Sequence, residues 1–237
     1  MMNSDLKILS LLLAYPTEDL QKACALLSAM LNESTGFTSE NIQELRALTS
    51  AISERDIFEV QEDYVTLFDR TRSLSLHLFE HVHGESRDRG QAMVDLREMY
   101  ESNGFEIDAN ELPDFLPMFL EFLSMISPEE AKQSLADTLH ITSAIGERLE
   151  KRGSPYAAIF KAIQVLSGAT VNAELLAEQL NIEEDDPNDL DALDKIWEEE
   201  AITFGGNAGE NDCGPDRLQR RIRAAKRDVT SQIQGNA

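Results

Sequence analysis

Ser127-Pro128-Glu129-Glu130 opens, and Lys151-Arg152-Gly153 closes, a stretch in which Leu135, Leu139, Thr142, Ile145, Gly146 and Leu149 step by three and four. That spacing is the buried stripe of an amphipathic helix, because residues three and four apart share one face of a 3.6-residue turn. The ends agree with the stripe. Ser127 is an N-cap, Pro128 takes the first helical position and Glu130 is placed to close a capping box. Lys151 and Arg152 oppose the helix dipole at the far end, and Gly153 lets the chain leave.

Working outward, similar starts stand at Thr17, Ser53, Asn172 and Asp186-Pro187, and Gly104 closes the segment through Met99 and Tyr100. Nowhere do apolar and polar residues alternate over a strand's length. The pattern predicts about nine to eleven helices and no sheet, an all-α fold. The expected organisation is a single multi-helix globular domain over residues 1–182 and a charged, partly flexible C-terminal tail over 183–237. In that tail, residues 183–200 hold ten acidic side chains against Lys195. The run Gly205-Gly206-Asn207-Ala208-Gly209 reads as a linker, and a basic segment follows with Leu218, Ile222, Ala225, Val229 and Ile233 in helical step.

The chain has 237 residues, 42% of them apolar and 27% charged, which is ample for a core and ordinary for a globular protein. Its net charge of −23 is not ordinary. Phosphate backbones and anionic lipid surfaces repel such a protein, whereas a basic peptide is drawn to it. Cys24 and Cys213 form no CxxC pair, which points away from a disulfide framework or a thiolate zinc site. The apolar run at residues 6–15 is about half the length of a membrane span, and Asp5 spoils a signal-peptide start, so a cytoplasmic protein without membrane insertion is expected.

Candidate chemistry is sparse. His77 and His81, four apart, could share a helix face and grip a metal with His83, but Leu78 stands where a zincin carries its glutamate. A histidine-dependent metal hydrolase, or a nucleotide-binding helical protein, is the alternative from the enzyme class. A scaffold that recruits a partner through its basic tail is a third reading. The preferred reading of His77, His81 and His83 is ordinary packing or surface histidines at a helix end, and the run His83 to Gly90 reads as an irregular connection. Cys24 reads as a small buried hydrophobe, and Cys213 lies in the tail. Pro113 cannot sit inside a helix; Asp114 as N-cap would place Pro117 in the first turn and leave Asp114 exposed at the helix mouth. Phe115, Phe119, Phe122 and Leu123 would form an apolar wall behind it.

Two segments look over-specified for packing. One runs through residues 64–96, with Phe68-Asp69, Arg70, Arg72, Ser73-Leu74-Ser75-Leu76, His81, His83-Gly84-Glu85-Ser86-Arg87 and Arg89-Gly90-Gln91-Ala92-Met93. The other holds Glu111-Leu112-Pro113-Asp114, Leu116-Pro117 and Leu120-Glu121-Phe122-Leu123. Together they closely resemble the NarJ family of assembly chaperones of respiratory nitrate reductase, over roughly residues 1–180. That family is similar to the wider TorD/DmsD group of helical redox-enzyme maturation chaperones, whose Pro-Asp-His motif is matched here by Pro113 and Asp114, with Phe115 in place of the histidine.

The resemblance implies a non-catalytic chaperone that binds the N-terminal leader of the apo catalytic α subunit of nitrate reductase. It would assist insertion of the molybdenum cofactor into that partner, bind no cofactor stably itself, and delay docking on the membrane anchor. A monomer is the favoured state. An acidic helical protein with apolar grooves suits a basic amphipathic leader. The expected peptide-binding set is Tyr64, Phe68 and Phe115 for apolar contact, Asp69, Glu80, Asp114 and Glu121 for cations, Arg72 to orient the carboxylates, and Pro113 beside them.

Overall fold

The computed structural model describes residues 2–83, 87–107 and 111–182, and every structural statement below concerns these residues. The acidic segment, the glycine linker, the basic tail, Cys213, the helix start at Asp186-Pro187 and the side chain of His83 lie outside them. The order is α1 Met2–Leu13, α2 Glu18–Glu33, α3 Ser39–Ser53, α4 Ile57–Phe68, a 3-10 turn Arg72–Leu74, α5 Glu80–His83, α6 Arg87–Ser102, α7 Leu116–Leu123, α8 Pro128–Asp137, α9 Leu139–Lys151, α10 Ala157–Ser167 and α11 Ala173–Leu180. The regular elements among the described residues are thus all helices, apart from one isolated antiparallel bridge, His77 to Phe115. None of the described helices is long and apolar enough to cross a membrane.

The caps set the boundaries. Thr17 accepts the Leu20 N–H, Asn172 accepts from Glu174 and Leu175, and Thr38 closes a box with Asn41. Ser127 accepts the Glu130 N–H, and Pro128 starts α8 as its sequence predicts. Gly104 and Gly153 follow α6 and α9 with φ of +74° and +66°, the left-handed region where a side chain is strained.

Three boundaries differ from expectation. The stretch from Ser127 to Gly153 is two helices, broken at Thr138, whose hydroxyl donates back to Ser134 O and Leu135 O while its backbone leaves the helical region. Ser53 ends α3 rather than starting a helix, and the cap of α4 is Asp56, which accepts the Phe58 N–H at 2.9 Å. Residues 87–90 of the expected irregular connection are the first turn of α6.

α10 is the hub, packed on α9, α8, α3 and α1. Leu135, Leu139, Thr142, Ile145 and Leu149 are all buried, so the stripe holds across the break. Gly146 lets α9 meet α10 closely: a Cβ there would stand 2.8 Å from Phe160 Cβ. α1 packs on α7 and α2 on α3 around the same apolar core. Burial of some forty apolar side chains is the main favourable contribution to the fold.

Candidate functional site

Beyond Phe68, α4 stops at Asp69, and the chain makes its 3-10 turn and then runs extended beside residues 112–116. Leu116 N–H donates to Leu76 O at 2.8 Å and Leu78 N–H to Asp114 O at 3.1 Å. The Asp114 carboxylate completes the junction: Oδ2 accepts the Phe79 N–H at 3.0 Å and Oδ1 lies 3.1 Å from His77 Nδ1. From the other side Tyr100 OH donates to Pro113 O at 2.7 Å. The Pro113-Asp114 pair is therefore a staple between α6 and the segment before α5.

Asp114 is 0% exposed. Its expected place as an N-cap at an exposed helix mouth is corrected: Phe115 is the residue before α7, without a side-chain cap bond, and Asp114 faces inward to His77 and Phe79. A carboxylate so enclosed satisfies two buried donors instead of meeting solvent or a ligand. Pro117 does sit in the first turn of α7.

Over this staple lies an acidic rim. The His77 imidazole, tilted against the Phe115 ring at a centroid distance of 5.4 Å, is surrounded by Asp114, Glu80 and Glu111. The Asp114 hydrogen bond, aided by the fields of Glu80 and Glu111 against the cost of burial, raises its pKa above the ordinary histidine value. Asp69 is exposed, and its carboxyl is pushed up by burial first and by Glu111 next, while His77 pulls it down. Glu80 is held by Arg89 at 3.2 Å. The arrangement can take a cation: two exposed carboxylates, Asp69 and Glu111, lie within each other's field and that of His77, whose ring rests against half-buried Phe115.

His81 belongs to the support. Its Nε2 lies 2.9 Å from Ser75 O, and burial lowers its pKa. His77 precedes α5, so the two histidines do not share a helix face, and each ring is committed to a different partner. Among the described residues no group of three histidine, cysteine, aspartate or glutamate side chains is placed to hold a metal. Beneath them Arg148, 0% exposed, donates to Ser73 O at 2.9 Å and to Gln179 O at 2.6 Å, and Gln179 donates to His81 O at 3.0 Å.

Residues 18–162 match the family model described as nitrate reductase delta subunit, which takes in both the staple and the rim. The chain belongs to this NarJ-type chaperone family. It is 38% identical to the nitrate reductase molybdenum cofactor assembly chaperone NarJ of Escherichia coli K12, over 93% of each chain. It is also 38% identical to the protein assigned as chaperone NarW in that organism, over 92% of this chain and 91% of the relative. A solved structure assigned to redox enzyme maturation in Archaeoglobus fulgidus shares the fold, with a TM-score of 0.53 and 24% identity over 71% of this chain and 95% of that one. The family is one of assembly chaperones, not of enzymes.

Within this NarJ-family fold, the expected peptide-binding residues scatter. Asp69, Glu80 and Phe115 meet around His77, with Pro113 half-buried below them. Tyr64 and Phe68 are core residues instead of open contacts; Tyr64 OH donates to Leu13 O at 2.9 Å, and its ring packs on Phe68. Glu121 already has a cation, Lys7 of α1. Arg72 is exposed at the head of the 3-10 turn.

Sequence reasoning missed Glu111 and Arg148, and read His77 as a packing or surface histidine or a metal ligand, not as the partner of Asp114. Glu111 was the edge of a motif and nothing more. Arg148 did leave a signal: it follows Ile141, Ala144 and Ile145 at apolar spacing, and a cation in that register is a buried one needing acceptors.

Proposed function

We propose that this chain is the cytoplasmic assembly chaperone of a respiratory nitrate reductase. It binds the N-terminal leader of the apo α subunit, assists insertion of the molybdenum cofactor into that subunit, and holds the subunit off its membrane anchor until the metal centres are in place. The cofactor is the partner's; the chaperone keeps none of its own and leaves the finished enzyme.

The observation that carries this reading is the identity with NarJ over nine-tenths of both chains, which covers the whole site as well as the core. The rim supports the leader in particular. Asp69 and Glu111 offer exposed negative charge beside Phe115, and a strongly acidic body steers a cationic peptide toward them. The enzyme alternative gains no such support, because His77 and His81 serve as hydrogen-bonded parts of the scaffold.

Cells that lack the chain should still synthesise the reductase subunits, but the purified α subunit should be deficient in molybdenum. Metal analysis of reductase isolated from such cells decides the matter. Full molybdenum content and full activity would sink the assignment.

A further inference from the structure

A cavity of about 260 Å³ opens between α3, α4 and the turn before α10, and the rim chemistry does not use it. Its wall is apolar, built by Leu48, Ile52, Val60, Leu67, Pro155 and Tyr156. Small-molecule sites begin at roughly 300 Å³, so this one is sized for one or two side chains rather than for a cofactor.

Tyr156 is the residue that core packing alone does not account for. It is 4% exposed, its ring lies edge-on to Phe68 at 5.2 Å and to Tyr64 at 6.0 Å, and its hydroxyl finds no hydrogen-bond partner among the described residues. A buried hydroxyl without a partner destabilises the protein that carries it, and phenylalanine would fill the same space without that cost. Burial first, and the nearby Asp63 charge next, raise its pKa, so the phenol is a neutral donor at physiological pH.

The mouth is acidic. Asp63 lines it beside Arg55, which is already paired with Asp63 at 2.6 Å and Glu59 at 3.7 Å, and Glu54, Asp56 and Glu62 are exposed neighbours of these residues along the chain. Phe58, 75% exposed, adds an apolar side chain to the first turn of the same helix. Apolar depth within an acidic border complements a basic segment that carries one large apolar side chain.

We infer that this cavity is the specificity pocket for the leader, seating one large apolar side chain while Tyr156 donates its hydroxyl hydrogen to a carbonyl oxygen of the bound segment. The inference rests on the leader reading above and extends it by a place. α4 joins the two sites: Asp63, Thr66 and Leu67 line the cavity, and six residues beyond Asp63 the helix ends at Asp69 on the acidic rim. At 1.5 Å per residue that is about 9 Å, within two helical turns of a bound peptide. Cations of the leader would meet Asp69 and Glu111 while its apolar anchor enters the cavity.

The test is calorimetric titration of the full-length chain with a synthetic peptide of the α subunit's N-terminal leader, at low and high salt, with melting curves alongside. Ala51→Phe, whose ring would occupy the cavity, should weaken binding at least about tenfold at both salt concentrations, because the lost contact is apolar. Tyr156→Phe should weaken it by about three- to tenfold, the value of one hydrogen bond, while the melting temperature holds or rises. If wild type binds and both folded variants bind equally well, the pocket assignment is overturned and the leader reading stands. Should Ala51→Phe fail to fold, an unchanged affinity in Tyr156→Phe overturns it alone. If the wild-type chain binds no leader at all, the leader reading falls and takes the pocket with it.

Discussion

The contact of α9 with α10 and the staple at Asp114 are equally tight and are made by opposite means. The first is shape: Gly146 admits the Phe160 side chain, and the surrounding surfaces are leucine, isoleucine and alanine. The second is polar: one buried carboxylate serves a backbone N–H and an imidazole from a segment 35 to 37 residues away. Apolar packing is non-directional and accepts repacking, whereas a buried hydrogen-bonded charge tolerates the loss of a partner poorly. The helical body can therefore vary in its side chains, and the site is carried on a joint with little freedom.

Breaking the polar side should give the largest effect. Asp114→Ala leaves the Phe79 N–H and His77 without their acceptor and should cost about 2–4 kcal/mol in denaturant unfolding, more than the loss of any exposed rim acid. Asp114→Asn should recover part of this, since an amide oxygen still accepts from Phe79. If Asp114→Ala unfolds like wild type, the staple is not what holds this junction.

On the apolar side, Gly146→Ala adds one methyl 2.8 Å from Phe160 Cβ and forces α9 and α10 apart. A cost of about 1–3 kcal/mol is expected by the same unfolding measurement, with leader binding unchanged. A loss of binding without a loss of stability would mean that the two regions are coupled more directly than their packing suggests.

How much of this was legible follows from the same contrast. The stripe from Leu135 to Leu149 was readable because helical burial repeats locally, and it kept its step so well across Thr138 that the break between α8 and α9 was hidden. Ser53 looked like a cap because serine caps helices, but here its hydroxyl donates backward to Ser50 O and Asp56 does the capping. Asp114 before a proline-bearing helix reads the same whether it caps its own helix or crosses to a distant segment. Family resemblance picked out both segments of the staple; that they touch, and through which atoms, depends on contacts far apart in sequence, which no local pattern encodes.

The smallest effect sharpens the comparison within the staple itself. His77 has a raised folded pKa, so its contribution to stability is fully present below the unfolded value of about 6.5 and is lost as pH rises through the folded value. His81 is lowered by burial and behaves in reverse: its neutral ring fits at higher pH, and stability falls as pH drops below about 6.5. Melting temperatures from pH 5 to 8 should show His77→Asn most destabilised relative to wild type at the acid end and nearly matched at the alkaline end. His81→Gln should show the opposite slope. Parallel curves for both variants would contradict the Asp114 hydrogen bond assigned to His77 and the burial assigned to His81.

Arg148 adds a matter of timing. Its guanidinium takes acceptors from Ser73, 75 residues earlier, and from Gln179, 31 residues later. A chain emerging from the ribosome can bury the apolar faces of α1 to α10 before α11 exists, yet the arginine at their centre still lacks its 2.6 Å acceptor. The segment that carries His77 and Glu80, already stapled by Asp114, thus receives its last hydrogen bond, at His81 O, from an element beyond the family-matched residues 18–162. Synthesis itself delays completion of the site until the helical body is built.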